Sequence, residues 1–306
     1  MRQSGAVSTR EHSEGGRSGD RPLRGVAYML ATETTLSASD AAAKWLAPHY
    51  AAIEIIWVRS LLGFAPAALL CARSKSGFRT RQLRGHILRS LLMLGAWALF
   101  IDCMRVLPLA DAFAIAFASP IAITLAGRVL LGEYVSGQRF AAVIVGFVGV
   151  LVILQPGAVG ASFAAAEALL ATLLWALSTI VSRRLSATES SETMLFYYML
   201  CSLIGTSIAV PWVYVTPSAE HALAFFITAI AGTVGHWLMA QAFRYAEVSL
   251  LAPFEYFAIV SAIGLGYVIW GDVPAPLTLA GVALIMSSGV FIAREEAAKQ
   301  RISSER

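Results

Sequence analysis

VLPLADAFAIAFASPIAITLAGRVLLGE, residues 106–133, returns in altered form 139 residues downstream inside RYAEVSLLAPFEYFAIVSAIGLGYVIWGDVP, residues 244–274. In that register Arg105 meets Arg244, Phe117 meets Tyr256, Gly127 meets Gly266, Gly132 meets Gly271 and Glu133 meets Asp272. The same offset pairs Ser39 with Ser178 and Lys44 with Arg183 near the start of each half. Glycine-rich apolar segments follow both copies, GFVGVLVIL at 146–154 and GVALIMSSGV at 281–290. The chain therefore reads as two copies of one unit.

That unit is built for lipid. With 58% hydrophobic and 14% charged residues, the composition excludes an ordinary soluble domain. Apolar stretches long enough to cross a hydrocarbon core of ~30 Å as helices recur along the chain. Spans are expected at 25–47, 51–72, 86–107, 109–131, 139–154, 163–182, 194–215, 220–244, 248–270 and 276–293. Of the 23 Lys and Arg residues, only Lys44 and Arg105 fall near the outer side when both termini are cytoplasmic, which sets the orientation. The three cysteines, Cys71, Cys103 and Cys201, have no disulfide or zinc spacing.

The expected fold is an all-α integral membrane protein with ten transmembrane helices in two inverted five-helix repeats, 25–156 and 163–293. A disordered cytoplasmic tail, 1–24, and a second tail, 294–306, flank them; the first is too polar for a signal peptide. An odd number of helices per copy turns the second copy upside down. Inverted repeats supply two states of similar energy, each open to one side, which is the physical basis of alternating access. The bland alternative is a duplication kept for packing alone.

Ionisable groups inside spans cost ~2.5–3.5 kcal/mol at a helix centre and call for a partner, a cavity or a function. Glu33 and Glu255 lie at similar depths, ~12 Å and ~10 Å along their helices from the inner end. Asp40, Asp102 and Arg59 form a second set nearer the outer face, and Arg59 can neutralise either acid. Glu33 and Asp40 are two helical turns apart and share a face, and Thr32, Ser37 and Ser39 make this helix unusually polar, so it should face a cavity. Asp40 and Lys44, four residues apart, also have the spacing of an intrahelical ion pair.

Aromatic walls are offered by Trp97, at the repeat position of His236, and by Phe117 and Tyr256. Their plain alternative is packing or an interfacial belt. Substrate-binding or coupling candidates are thus Glu33, Arg59, Trp97, Asp102, Phe117, Gln241, Glu255 and Tyr256. Gate or structural ion-pair candidates are Asp40, Lys44, Arg105, Glu133, Arg244 and Asp272. Where the halves differ, Glu33 faces Thr172, Asp102 faces Gln241 and Glu255 faces Ala116, so any cavity should be lined asymmetrically.

The two Pro-containing helices, the Gly-Glu turn at 132–133 and the glycine-rich closing helices resemble the EamA-type family of the drug/metabolite transporter superfamily. The resemblance covers residues 25–293 and departs from the family pattern at Asp272, where Glu is usual. It implies a multi-pass transporter of the bacterial inner membrane acting on a small metabolite, with proton coupling as one option. Amino-acid or metabolite export is the leading expectation. Import of a vitamin or cofactor is the alternative, since the stretch from Arg244 through SLLAPFEY is similar to a branch that includes transporters of S-adenosylmethionine and riboflavin. A channel or receptor is the non-carrier alternative.

No zinc-protease, nucleophile-elbow or phosphate-loop motif is present, so no enzymatic activity, cofactor or metal is expected. Nor is nucleic acid an expected partner, because the basic residues lie in loops and tails. The lipid bilayer and a small-molecule substrate are the expected partners, and a homodimer stays open.

Overall fold

The computed structural model describes residues 20–74, 76–119, 122, 137–154, 161–185, 188–245 and 254–304. Among them ten α-helices can be bounded. They are α1 (Asp20–Leu46), α2 (Ala52–Arg73), α3 (Leu83–Cys103), α4 (Leu109–Ala116) and α5 (Gly137–Leu154), then α6 (Ala161–Leu185), α7 (Ser191–Ala209), α8 (Ala219–Tyr245), α9 (Phe257–Trp270) and α10 (Pro276–Ser304). The described residues contain no strand. Five segments are long and apolar enough to cross a membrane: Ala52–Arg73, Leu83–Cys103, Phe163–Ser182, Ser191–Trp212 and Ala219–Met239.

Much of the surface is apolar, and the interior holds small and polar side chains beside its aliphatic ones. Leu61, Leu62, Leu69, Leu88, Leu91, Ile204, Ile208 and Val268 are exposed, whereas Thr32, Ser37, Ser39, Ser60, Ser202 and Thr228 are buried. Water would favour the opposite distribution. In lipid, close packing of small side chains and interhelical hydrogen bonds hold helices together instead. Helix α1 carries this furthest: its Ser39 hydroxyl donates to the Thr228 carbonyl of α8 at 2.9 Å. Thr32 and Thr35 return their hydroxyls to the carbonyls four residues back, Tyr28 and Ala31, which keeps a polar helix internally satisfied.

Helix pairing crosses between the halves. Helix α1 packs on α8 and α3 on α6; α2 packs on α7, α4 on α9 and α5 on α10. Each pairing maps onto itself or onto another when the first five helices are exchanged for the second five. The α5–α10 seam keeps this to the residue. Ser288 donates to the Ala142 carbonyl at 2.6 Å, while a side chain at Gly149 would stand 2.8 Å from the Gly281 carbonyl oxygen. A shift of 139 residues turns Ala142 into Gly281 and Gly149 into Ser288.

Helix ends gather in two layers. In one, Tyr50 is hydrogen-bonded to His221, the Val215 N–H donates to Glu54, and Trp45 meets Trp270. In the other, His86 lies 3.5 Å from Glu189, Arg89 donates to Ser182, and Tyr28 stacks on Tyr245.

Two helices run beyond the sequence expectation, and two spans are described only in part. Helix α1 begins at Asp20 and so takes in residues assigned to the tail. Helix α10 runs to Ser304 because REEAAKQR is rich in strong helix formers and spaces acids and bases one turn apart. The fourth and ninth spans are described only as Leu109–Ala116 and Phe257–Trp270, their remaining residues lying largely outside the described set.

Candidate functional site

Helices α1, α2, α3, α8 and α9 bring the inner group of candidates together. Glu33 is 7% exposed on α1 and lies within electrostatic reach of both Glu255 and Asp40. Asp40, two turns further along α1, is within reach of Arg59 on α2. The Arg59 guanidinium carbon stands 3.6 Å from the centroid of the Trp97 ring on α3. A buried cation over an aromatic face gains up to ~2 kcal/mol when desolvated. His236, the repeat counterpart of Trp97, is also within electrostatic reach of Arg59. The guanidinium therefore lies near both members of one repeat position.

Close approach of α8 completes this arrangement. A side chain at Gly232 would stand 2.7 Å from Arg59 Nη2 and 2.9 Å from Nε, so any larger residue here would displace the guanidinium from its present place. Gly232 is a site-shaping residue absent from the candidates chosen on sequence. Its only signal there is the small-residue run AIAGTVG at 229–235.

Phe117 and Tyr256 form the aromatic pair, with centroids 5.2 Å apart and planes tilted by 36°. Tyr256 belongs to a small buried cluster with Ala114, Ile259 and Val282, which joins α4, α9 and α10. Gln241 sits half-buried on α8.

The remaining candidates lie at the other end of the bundle or outside the description. Asp102 and Arg105 form an ion pair at 2.9 Å, half-exposed, and Arg105 also donates to the Tyr50 carbonyl at 2.7 Å. Their spacing of three residues allows this pair within one turn. Lys44 does not pair with Asp40. Its ammonium donates to the carbonyl oxygens of Met104 at 2.9 Å and Leu107 at 2.6 Å, and sits 5.3 Å from the Trp270 ring centroid. These carbonyls belong to the turn that follows α3. Asp272 and Asp111 are within electrostatic reach of Lys44, and Asp111 accepts from Thr278 at 2.9 Å. Glu133 and the Arg244 side chain lie outside the described residues.

A cavity of about 170 Å³ opens between Pro108, Asp111, Gly266 and Asp272. Pockets that enclose drug-sized ligands start at ~300 Å³, so this one is a seam between helix ends. Around it, Leu46, Tyr50, Ile55, Ile101, Met104 and Leu109 belong to the largest buried core cluster. The Lys44 end of the molecule is thus densely packed.

The EamA-like transporter family matches the chain twice, over residues 23–155 and 162–294. The chain is 26% identical over 285 residues to a riboflavin transporter of Rhizobium johnstonii, covering 92% of this chain and 94% of that one. It is 24% identical to an S-adenosylmethionine uptake transporter of Rickettsia prowazekii, covering 92% and 96%, and 25% identical to the pseudopaline exporter CntI of Pseudomonas aeruginosa, covering 88% and 96%. One solved crystal structure superposes with a TM-score of 0.62 at 18% identity over 92% of this chain and 99% of that one, a likeness of fold. Two family matches spanning almost the whole chain, on an all-helical apolar bundle, place the protein in the EamA-like transporter family. It is a multi-pass membrane protein and a small-molecule transporter.

Proposed function

We propose that the chain is a secondary transporter that carries a small metabolite across the cytoplasmic membrane by alternating access, with its substrate held near Glu33, Arg59, Trp97, Glu255 and Tyr256. The observation that carries this reading is the exchange of helix pairings between the halves. Pairings that map onto one another describe a two-fold relation, and five helices per half make that axis lie in the membrane plane. This supports a reading of ten spans in two inverted repeats, whose halves can rock about a site between them.

The exposed Arg73, Arg79, Arg81, Arg84 and Arg184 lie at the His86 end of their helices, which supports a cytoplasmic assignment for that end and for both termini. Packing at the Lys44 end then makes the present arrangement closed to the outside. Lys44, bonded to the α3–α4 turn and within reach of Asp272 from the other half, is the gate. In the interior, Glu33 and Glu255 provide acidic groups for a cationic centre or a proton, and Phe117, Tyr256 and Trp97 provide aromatic faces for a flat group.

The test is reconstitution of the full chain into liposomes with labelled amino acids, S-adenosylmethionine and riboflavin, each with and without a pH gradient. Saturable uptake of at least one, reduced roughly tenfold or more by Glu33→Gln or Glu255→Gln, is the expected result for loss of a buried charged contact. Flux that does not saturate would indicate a channel. Correct insertion with no flux of any compound would overturn the carrier reading for these substrates.

A further inference from the structure

We infer that Arg59 is the carboxylate-binding residue of the transport site, and that the transported metabolites carry both a cationic centre and a carboxylate. The inference rests on the transporter reading above and narrows its substrate class.

Arg59 is only 2% exposed, yet its Nε and Nη1 have no hydrogen-bond partner among the described residues. One face of the guanidinium is covered by Trp97, and its Nε and Nη2 edge abuts Gly232. Asp40 offsets its charge from within electrostatic reach, but among the described residues the two form no direct ion pair. A guanidinium is charged at every physiological pH, and unsatisfied charged donors in a low-dielectric interior are strongly unfavourable. Such a group is retained where an acceptor arrives during the working cycle. Its planar fork of donors suits a carboxylate, and the Trp97 face holds that plane in place.

The acidic groups beside Arg59 favour a cargo that also carries a cationic centre. Asp40 is within electrostatic reach of Arg59, and Glu33 is within reach of Asp40 and Glu255. A ligand whose carboxylate reaches Arg59 is best matched when its cationic centre meets these acids. Glu33 and Asp40 are seven residues apart, ~10 Å along the helix, so such a ligand would lie along α1. Its carboxylate would be at Arg59 and its cationic centre toward Glu33 and Glu255. A neutral molecule such as riboflavin can accept hydrogen bonds from the guanidinium but leaves its charge uncompensated.

The experiment uses liposomes containing the full chain and a panel of L-amino acids and S-adenosylmethionine, each compared with its carboxamide, plus riboflavin. For any zwitterion carried, the carboxylate form should be preferred over the carboxamide by roughly tenfold or more in kcat/KM, the scale of a charge-assisted hydrogen bond. Arg59→Gln should bring that ratio to within about twofold, and Arg59→Lys should restore part of it, because charge returns without the fork. Thermal unfolding of each variant reports folding separately, and a structural Arg59 would change stability or rate while leaving the ratio intact. An intact ratio in Arg59→Gln overturns the inference. So does transport of riboflavin without any carboxylate-bearing compound, and in that case the transporter reading stands. No flux of any compound removes both.

Discussion

Phe117 and Tyr256 are the same position in the two halves, and they touch each other, with ring centroids 5.2 Å apart. A residue that meets its own repeat mate lies on the axis relating the copies. In an alternating-access carrier that axis passes through the region common to both open states, where a ligand is in reach from either side. Replacing Tyr256 by Ala should therefore weaken substrate binding in both directions of transport. KM is expected to rise roughly three- to tenfold, the ~0.5–1.5 kcal/mol of an aromatic contact, while Tyr256→Phe stays close to wild type. Measurement of KM for uptake and efflux in the same liposomes checks this; an effect confined to one direction would place the pair in a gate.

The Lys44 latch gives a second expectation. Its ammonium makes two bonds to the α3–α4 turn, next to the fully buried Cys103. Lys44→Met removes both bonds while keeping the chain length, and charged hydrogen bonds contribute ~1.5–3 kcal/mol each. In a Cys71→Ser, Cys201→Ser background, labelling of Cys103 by a membrane-impermeant maleimide should accelerate at least tenfold or so on this scale, and only from the outside of right-side-out vesicles. Labelling from the cytoplasmic side would reverse the proposed orientation.

The equivalence of Phe117 and Tyr256 is legible in the sequence alone, because it follows from aligning the chain with itself. The buried polar face of α1 is legible too, from the spacing of Thr32, Glu33, Ser37 and Ser39. Lys44 is not. Its spacing to Asp40 matches a helical ion pair, but the partners that win are backbone carbonyls, which every residue possesses and no side-chain pattern marks. The Asp102–Arg105 pair has a legible three-residue spacing. Arg59 is legible as a cation among acids, whereas its place between Trp97 and Gly232 depends on how three helices cross.

Glu33 and Glu255 come from opposite halves and lie within electrostatic reach of each other. Substitutions in such a pair should not add. If each Gln variant lowers transport of a cationic substrate, the double variant should lose less than the product of the two effects, with an interaction of ~0.5–3 kcal/mol. Transport rates for the wild type, both single variants and the double variant complete the cycle. Strict additivity would mean that the two acids contact separate ligands, a proton and the substrate.

Two glycines offer a matched control for the Arg59 site. A methyl group at Gly232 would stand 2.7 Å from Arg59 Nη2, whereas one at Gly264 meets no atom within 4 Å. Both positions lie within helices, α8 and α9, where alanine is favoured over glycine by ~0.5–1 kcal/mol through the backbone alone. Gly264→Ala should therefore leave transport unchanged and stability equal or slightly raised. Gly232→Ala should push the guanidinium, the far end of a flexible side chain, off the Trp97 face or force α8 away from α2. Because the clash falls on the Nε and Nη2 edge, the carboxylate-to-carboxamide preference should fall along with stability. Loss of stability with that preference intact would mean that the bundle yields at α8 and leaves Arg59 in place.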